Sequence, residues 1–258
     1  MNLRVTIVQT ELHWQDADAN RQMFAQKLAA ANLQTDLIVL PEMFTTGFSM
    51  DAAALAEQPE GKTLQWMREQ AANYSAVVTG SIIVQESDHF YNRLLWVRPD
   101  GSYEQYNKKH LFRMAKEHHT YTSGSELLTV ELKGWKVCPL VCYDLRFPVW
   151  SRNTGNRYDL LLYVANWPKV RSLAWRTLLQ ARAIENIAYV AGVNRIGTDG
   201  NDHPYSGDSA IIHPKGHKLI ETTEQESILT ITLSKQELLD FREAFPAHLD
   251  ADEFELKG

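Results

Sequence analysis

Glu42, Lys108 and Cys142 stand where apolar, strand-like runs give way to loops, in Leu40-Pro41-Glu42-Met43-Phe44, Tyr106-Asn107-Lys108-Lys109-His110-Leu111-Phe112 and Leu140-Val141-Cys142-Tyr143-Asp144. Loop starts beyond buried strands are common positions for reactive groups. A thiol with a reference pKa of ~8.5 is mostly protonated at neutral pH, so a cysteine that attacks an amide needs a base or a cation beside it. A glutamate can take the thiol proton. A lysine, with the backbone N–H of Tyr143, can hold the negative charge that builds on the attacked oxygen. The glutamate can then protonate departing ammonia and activate the water that releases an acid from the thioester. Such a cycle needs neither a metal nor a cofactor.

Cys138 is the only other cysteine. If residues 136–143 form a strand, its four-residue separation from Cys142 is ~13 Å, too far for a disulfide. Two thiols without a Cys/His cluster also fall short of a structural zinc site. Cys138 lies inside the run, before Pro139 and away from any acid or cation in its motif, and is read as structural.

The elements that must position these residues alternate. Strand-like runs rich in Val, Ile, Leu and Tyr cover residues 3–9, 36–40, 76–84, 93–97, 127–132, 137–143, 160–165, 188–193, 210–212 and 228–233. Helical spacing appears over 20–33, where Met23, Phe24, Leu28 and Ala31 share a face. It appears again over 172–186, with Ser172 as the cap and Trp175, Leu178, Leu179 and Ile184 on one side. Ser234 and Glu237 open a late helix over 235–245 as a capping box. A hairpin-like group over 76–107 turns at Pro99-Asp100-Gly101. Alternating strands and helices with a hairpin predict an α/β fold with mixed sheets, a four-layer αββα sandwich of two sheets face to face with helices outside. No linker divides residues 1–258, which are read as a single domain. The likeness of Asp36-Leu37-Ile38-Val39-Leu40-Pro41 to Asp159-Leu160-Leu161-Leu162-Tyr163-Val164 hints at two similar halves.

Composition excludes several classes. With 44% hydrophobic and 22% charged residues, the chain is neither disordered nor collagen-like. Lys plus Arg number 26 against 32 Asp plus Glu, and the net charge of -6 offers no broad attraction to nucleic acid or anionic membranes. Apolar runs are strand-sized, so no membrane span is expected. The start Met1-Asn2-Leu3-Arg4 carries no export signal, so a cytoplasmic protein is expected.

Three motifs in this order, with Asn166-Trp167-Pro168 and Arg182-Ala183-Ile184-Glu185-Asn186 after them, resemble the nitrilase superfamily of carbon-nitrogen hydrolases over nearly the whole chain. The resemblance implies a Glu42-Lys108-Cys142 triad and an orienting role for a second glutamate, matched by Glu117 in Ala115-Lys116-Glu117-His118. Spacing to His110 selects Lys108 over Lys109, and strand alternation sends the neighbour to the other face. His110 is read as a packing and hydrogen-bonding residue. The family habit implies a homodimer, with the aromatic tail from Phe245 to Phe254 available to pack on the partner.

The longer strings Leu111 to Ala115, Val141 to Asn153 and Tyr163 to Pro168 are similar to the bacterial omega-amidase branch. That likeness implies hydrolysis of the terminal amide of 2-oxoglutaramate or 2-oxosuccinamate. Other small amides, carbamoyl amines or nitriles, acyl transfer, and a non-catalytic binding role are the alternatives. Phe44, Phe112, Tyr143 and Trp167 would frame a small pocket. Arg113, Arg146 and Arg171 are candidates to bind a substrate carboxylate. Arg171 is preferred because it precedes the expected cap Ser172, where a helix amino terminus would add to anion binding.

Overall fold

The computed structural model describes residues 1–255; residues 256–258, the end of the expected single domain, lie outside the described residues. The strands are β1 (Asn2–Gln9), β2 (Leu37–Val39), β3 (Val77–Glu86), β4 (His89–Val97), β5 (Tyr103–Asn107), β6 (Val130–Leu132) and β7 (Trp135–Val141). They continue as β8 (Leu160–Ala165), β9 (Tyr189–Asn194), β10 (Ile196–Thr198), β11 (Pro204–Ile212), β12 (Lys218–Thr223) and β13 (Ser227–Ser234). The helices are α1 (Ala17–Ala30), α2 (Ala52–Leu55), α3 (Lys62–Tyr74), α4 (Glu117–Thr120), α5 (Ser172–Asn186) and α6 (Lys235–Ala244).

Period-2 alternation builds the first sheet, ordered β13-β1-β2-β3-β4-β5. Val5 and Ile7, Leu37 and Val39, and Leu94 and Trp96 turn inward to a core shared with the second sheet. Their neighbours Val8, Ile38, Leu95 and Val97 turn outward, against Phe24 and Leu28 of α1 and Leu64, Met67 and Ala71 of α3. The second sheet runs β10-β11-β9-β8-β7-β6, with β12 pairing β11. Its parallel strand β8 is buried at every residue because sheet one covers one face and Trp175, Leu179 and Ala183 of α5 pack on the other. The result is the αββα sandwich expected from the sequence.

The two similar segments meet the same backbone geometry. Asp36 donates its N–H to the Arg4 carbonyl at 3.0 Å and accepts the Arg4 N–H on its carboxylate at 2.8 Å. Asp159 repeats this with Lys136, at 2.8 and 2.9 Å. Each aspartate thereby pins a central strand to its parallel neighbour, β2 to β1 and β8 to β7.

Several boundaries differ from the sequence reading. The strand expected over 136–143 stops at Val141, and Cys142 starts a 3-10 turn. The run 127–132 is a strand only from Val130, and 210–212 is the end of the longer β11. Polar β10 and β12 lack the apolar alternation that would have revealed them. Helix α1 begins at Ala17 because Asp16 caps it, accepting the Ala19 N–H at 2.9 Å. Ser172 is not the cap of α5. Arg171 occupies that position, and the Ser172 hydroxyl donates to Asp208 at 2.7 Å. Ile184, expected on the buried side, is 53% exposed and packs over Gly216. Ser234 does cap α6, accepting the Glu237 N–H at 3.3 Å.

Candidate active site

Four strand ends converge. Glu42 follows β2, Lys108 follows β5, Cys142 follows β7 and Asn166 follows β8. The chain turns sharply at two of them: Met43 and Cys142 hold φ of +41° and +43°, a left-handed conformation that costs a residue with a Cβ and persists only where the surroundings impose it. The turn at Met43 is held by its N–H donating to the Ser81 hydroxyl at 2.9 Å. The turn at Cys142 is held by Asp144, which accepts the Val141 N–H at 3.0 Å.

Lys108 is buried, and its ammonium donates to Glu42 Oε1 at 2.9 Å and to both oxygens of Glu117 at 3.0 Å. Lys109 instead lies half-exposed with its ammonium 5.3 Å from the Trp150 ring. Asn92 donates to Glu42 Oε1 at 2.7 Å, and the Asn166 N–H donates to Glu42 Oε2 at 2.8 Å. The Asn166 side chain also donates to the Glu42 carbonyl. Glu42 is thus gripped through both its side chain and its main chain. The Phe112 N–H donates to Glu117 Oε2 at 2.6 Å. The Cys142 sulfur lies 4.0 Å from the Asn166 carbonyl.

Charge and burial set the protonation states. Burial alone would lower the Lys108 pKa, but Glu117 and Glu42 overcome it and raise it, so the side chain is an ammonium. Burial raises the Glu117 pKa, with Lys108 opposing and Glu42 reinforcing the rise. The Cys142 thiol is pushed well above its ordinary value by burial and by Glu42, and Lys108 only partly compensates. At rest it is therefore protonated, and attack by its sulfur requires the proton to leave with it.

The thiol and the Lys108 ammonium open onto a cavity of about 520 Å³. Phe112, Tyr143, Arg146, Trp167 and Arg171 line it. Arg146 stacks over Trp167 at 5.0 Å and Arg171 over Phe112 at 5.2 Å. Neither guanidinium has a carboxylate partner among the described residues. Phe44 and Arg113 stand elsewhere. Phe44 is a core residue behind Glu42, 5.6 Å edge-on from Phe24 and packed so closely on Gly80 that an added Cβ there would sit 2.9 Å from its ring. Arg113 begins an exposed 3-10 turn, because the chain must reverse between Phe112 and Lys116 to bring Glu117 back to Lys108.

Sequence reasoning missed Asn92, which lies mid-strand in β4 with no motif around it. It also missed the wall made by Trp14, Phe48 and Met50 and by Asp199, Asn201, His203 and Tyr205 around the β10–β11 turn. The turn-forming run Asp199-Gly200-Asn201-Asp202 marks that hairpin in the sequence, with nothing to say that it faces the cavity. Among the described residues, no group of three or more His, Cys, Asp and Glu side chains is arranged to hold a metal ion. No helix among them is long and apolar enough to cross a membrane.

Comparison with known proteins gives concordant matches. The carbon-nitrogen hydrolase family model matches residues 4–243. Omega-amidase YafV of Escherichia coli (strain K12) is 50% identical over 256 residues, 98% of each chain. The 2-oxoglutaramate amidase of Bacillus subtilis (strain 168) is 36% identical over 219 residues, covering 83% of this chain and 84% of that one. Among solved structures, XC1258 from Xanthomonas campestris, a CN-hydrolase superfamily protein crystallised with an arsenic adduct in its active site, superposes with a TM-score of 0.98 at 47% identity over the whole of both chains. Agreement in sequence over the full length and in backbone over every layer of the sandwich shows that this chain belongs to the carbon-nitrogen hydrolase family.

Proposed function

We propose that the protein is an omega-amidase that hydrolyses the terminal amide of 2-oxo dicarboxylic acid monoamides such as 2-oxoglutaramate and 2-oxosuccinamate. The observation that carries this reading is the pair of guanidiniums, Arg146 and Arg171, that face the same cavity as Cys142 without an acidic partner among the described residues. A cavity with a thiol and free cations suits an amide whose other end is a carboxylate. The names borne by the relatives from E. coli and B. subtilis support the same substrate class.

Glu42, Lys108 and Cys142 form the catalytic triad in this reading. As the Cys142 sulfur bonds to the amide carbon, its proton passes to the Glu42 carboxylate. The carbonyl π electrons move to oxygen, where the Lys108 ammonium and the Tyr143 N–H stabilise the charge. Collapse breaks the C–N bond, and Glu42 returns the proton to the departing nitrogen as ammonia. The carboxylate then takes a proton from water as its oxygen attacks the thioester. Collapse of the second intermediate releases the acid, and the proton returns from Glu42 to sulfur. Glu117 orients Lys108, a role supported by its two contacts to the ammonium. Phe112, Tyr143 and Trp167 supply the apolar walls, and Arg146 or Arg171 binds the distant carboxylate.

The chain acts as a single domain and as a homodimer in this reading, with pairing supported by exposed Phe245 and Leu249. The two free thiols suit the reducing cytoplasm. Ammonia release from 2-oxoglutaramate against a neutral amide of matched length tests the substrate. We expect kcat/KM for the neutral amide to be at least ~10²-fold lower, and Arg171→Ala or Arg146→Ala to erase the difference. Equal values for the two amides would refute the omega-amidase reading and leave the triad untouched.

A further inference from the structure

Asp144 lies two residues beyond Cys142, fully buried and outside the cavity wall. Its Oδ2 accepts the Val141 N–H at 3.0 Å and the Tyr106 hydroxyl at 2.8 Å. Its Oδ1 accepts the His110 N–H at 2.9 Å and meets His110 Nδ1 at 2.8 Å. Val141 immediately precedes Cys142, and His110 is two residues past Lys108. One carboxylate therefore ties the turn that carries the thiol to the loop that carries the ammonium. Packing stiffens the tie. The His110 ring stacks on Phe147 with centroids 3.7 Å apart, and the Tyr106 oxygen accepts the Trp150 indole N–H at 3.1 Å and the Lys109 N–H at 3.2 Å.

We propose that Asp144 is a positioning residue that fixes the separation between the Cys142 thiol and the Lys108 ammonium, so that both meet the same substrate carbonyl. The proposal rests on the roles given to those two residues above. Sulfur must approach the carbon while the ammonium meets the oxygen of one carbonyl group, so the tolerance is small. A displacement of ~1 Å in such an arrangement costs about a hundredfold in rate. The same separation governs the ease of thiol ionisation: burial and Glu42 resist it, and Lys108 favours it. Loosening the tie would weaken the one favourable influence.

Asp144→Asn keeps the shape but replaces one acceptor oxygen with a donor that faces other donors. Its kcat is expected to fall about a hundredfold with KM within about threefold, because the binding groups are undisturbed. Alkylation of Cys142 by iodoacetamide should slow at pH 7, and its pH profile should move upward. His110→Asn and His110→Ala make the second comparison, in case Asp144→Asn does not fold. Asparagine can place a donor near the Nδ1 position but cannot stack on Phe147. If the hydrogen bond to Asp144 matters, His110→Asn keeps kcat within about threefold while His110→Ala loses at least about tenfold. Equal losses in the two His110 variants would assign the effect to packing and overturn the proposal. A folded Asp144→Asn protein with unchanged kcat and alkylation profile, or with a raised KM alone, would overturn it too. Failure of the omega-amidase reading would show in the unaltered protein as absent turnover, whereas alkylation reads the tie without any substrate.

Discussion

At the scale of single residues, two cysteines on one short stretch have different surroundings. Cys138 is inside β7 and outside the cavity lining, where burial pushes its thiol up to about 12, with Asp144 adding to the rise and Arg157 opposing it. Cys142 sits one residue past the strand end, in the cavity with Lys108 and beside Glu42. Replacing Cys142 by Ser or Ala is therefore expected to abolish ammonia release, whereas Cys138→Ala should retain turnover and lose only ~1 kcal/mol of packing. Circular dichroism and ammonia assays on both variants check this; equal loss of activity in folded proteins would contradict it. The sequence named Glu42, Lys108 and Cys142 because each terminates a recognisable run. It could not name Asn92, whose amide holds Glu42 from the middle of a strand 50 residues away.

At the scale of elements, the strands matter through where they end. The parallel neighbours β1 and β2, and β7 and β8, are each locked by one aspartate at the start, and β2, β7 and β8 deliver Glu42, Cys142 and Asn166 at their finish. Register at the start thus controls position at the finish. Burial would raise the Asp36 pKa, but hydrogen bonds from Arg4 and Lys133 bring it down to about 2. Its folded pKa lies below the unfolded value of ~3.9, so its contribution to stability is fully present above about pH 4 and is lost as pH falls through 2. Asp36→Asn should lower stability by ~1 kcal/mol at pH 7 after allowance for solvent screening, and the difference should shrink on acidification through that window. Denaturant melts of both proteins at pH 7 and near pH 2 check the sign; a difference that grows with acid would reverse it. Alternation made the central strands legible, since only an apolar run buried on both faces survives between a second sheet and a helix. Edge strands β10 and β12, half in water, leave no such record.

At the scale of the whole molecule, the surface includes exposed Phe245 and Leu249 near the carboxyl terminus, while Phe254 reaches back to a crevice with Val149 and Arg152. If a second copy covers the first two, light scattering at micromolar concentration will give twice the chain mass, and Phe245→Asp with Leu249→Asp will shift it toward the monomer. A monomer in the unaltered protein would refute the pairing. The sequence by itself determined the αββα class, the order of the chemical motifs and the family, because hydrophobic period and local motifs are written in consecutive residues. It did not determine which aromatic and basic side chains line the cavity. Phe44 and Phe112 carry the same ring beside equally persuasive motifs, yet one packs under Gly80 and the other walls the cavity. Arg113 and Arg171 differ in the same way. The direction of a side chain at a strand end depends on the turn it enters and on what the opposing layer leaves open, and both are set by contacts between residues far apart in the chain. Only the packed sandwich brings Glu42, Asn92, Lys108, Glu117, Cys142 and Asn166 together, because burying the Glu42 and Glu117 carboxylates and the Lys108 ammonium is tolerable only where donors and charges from other elements meet them.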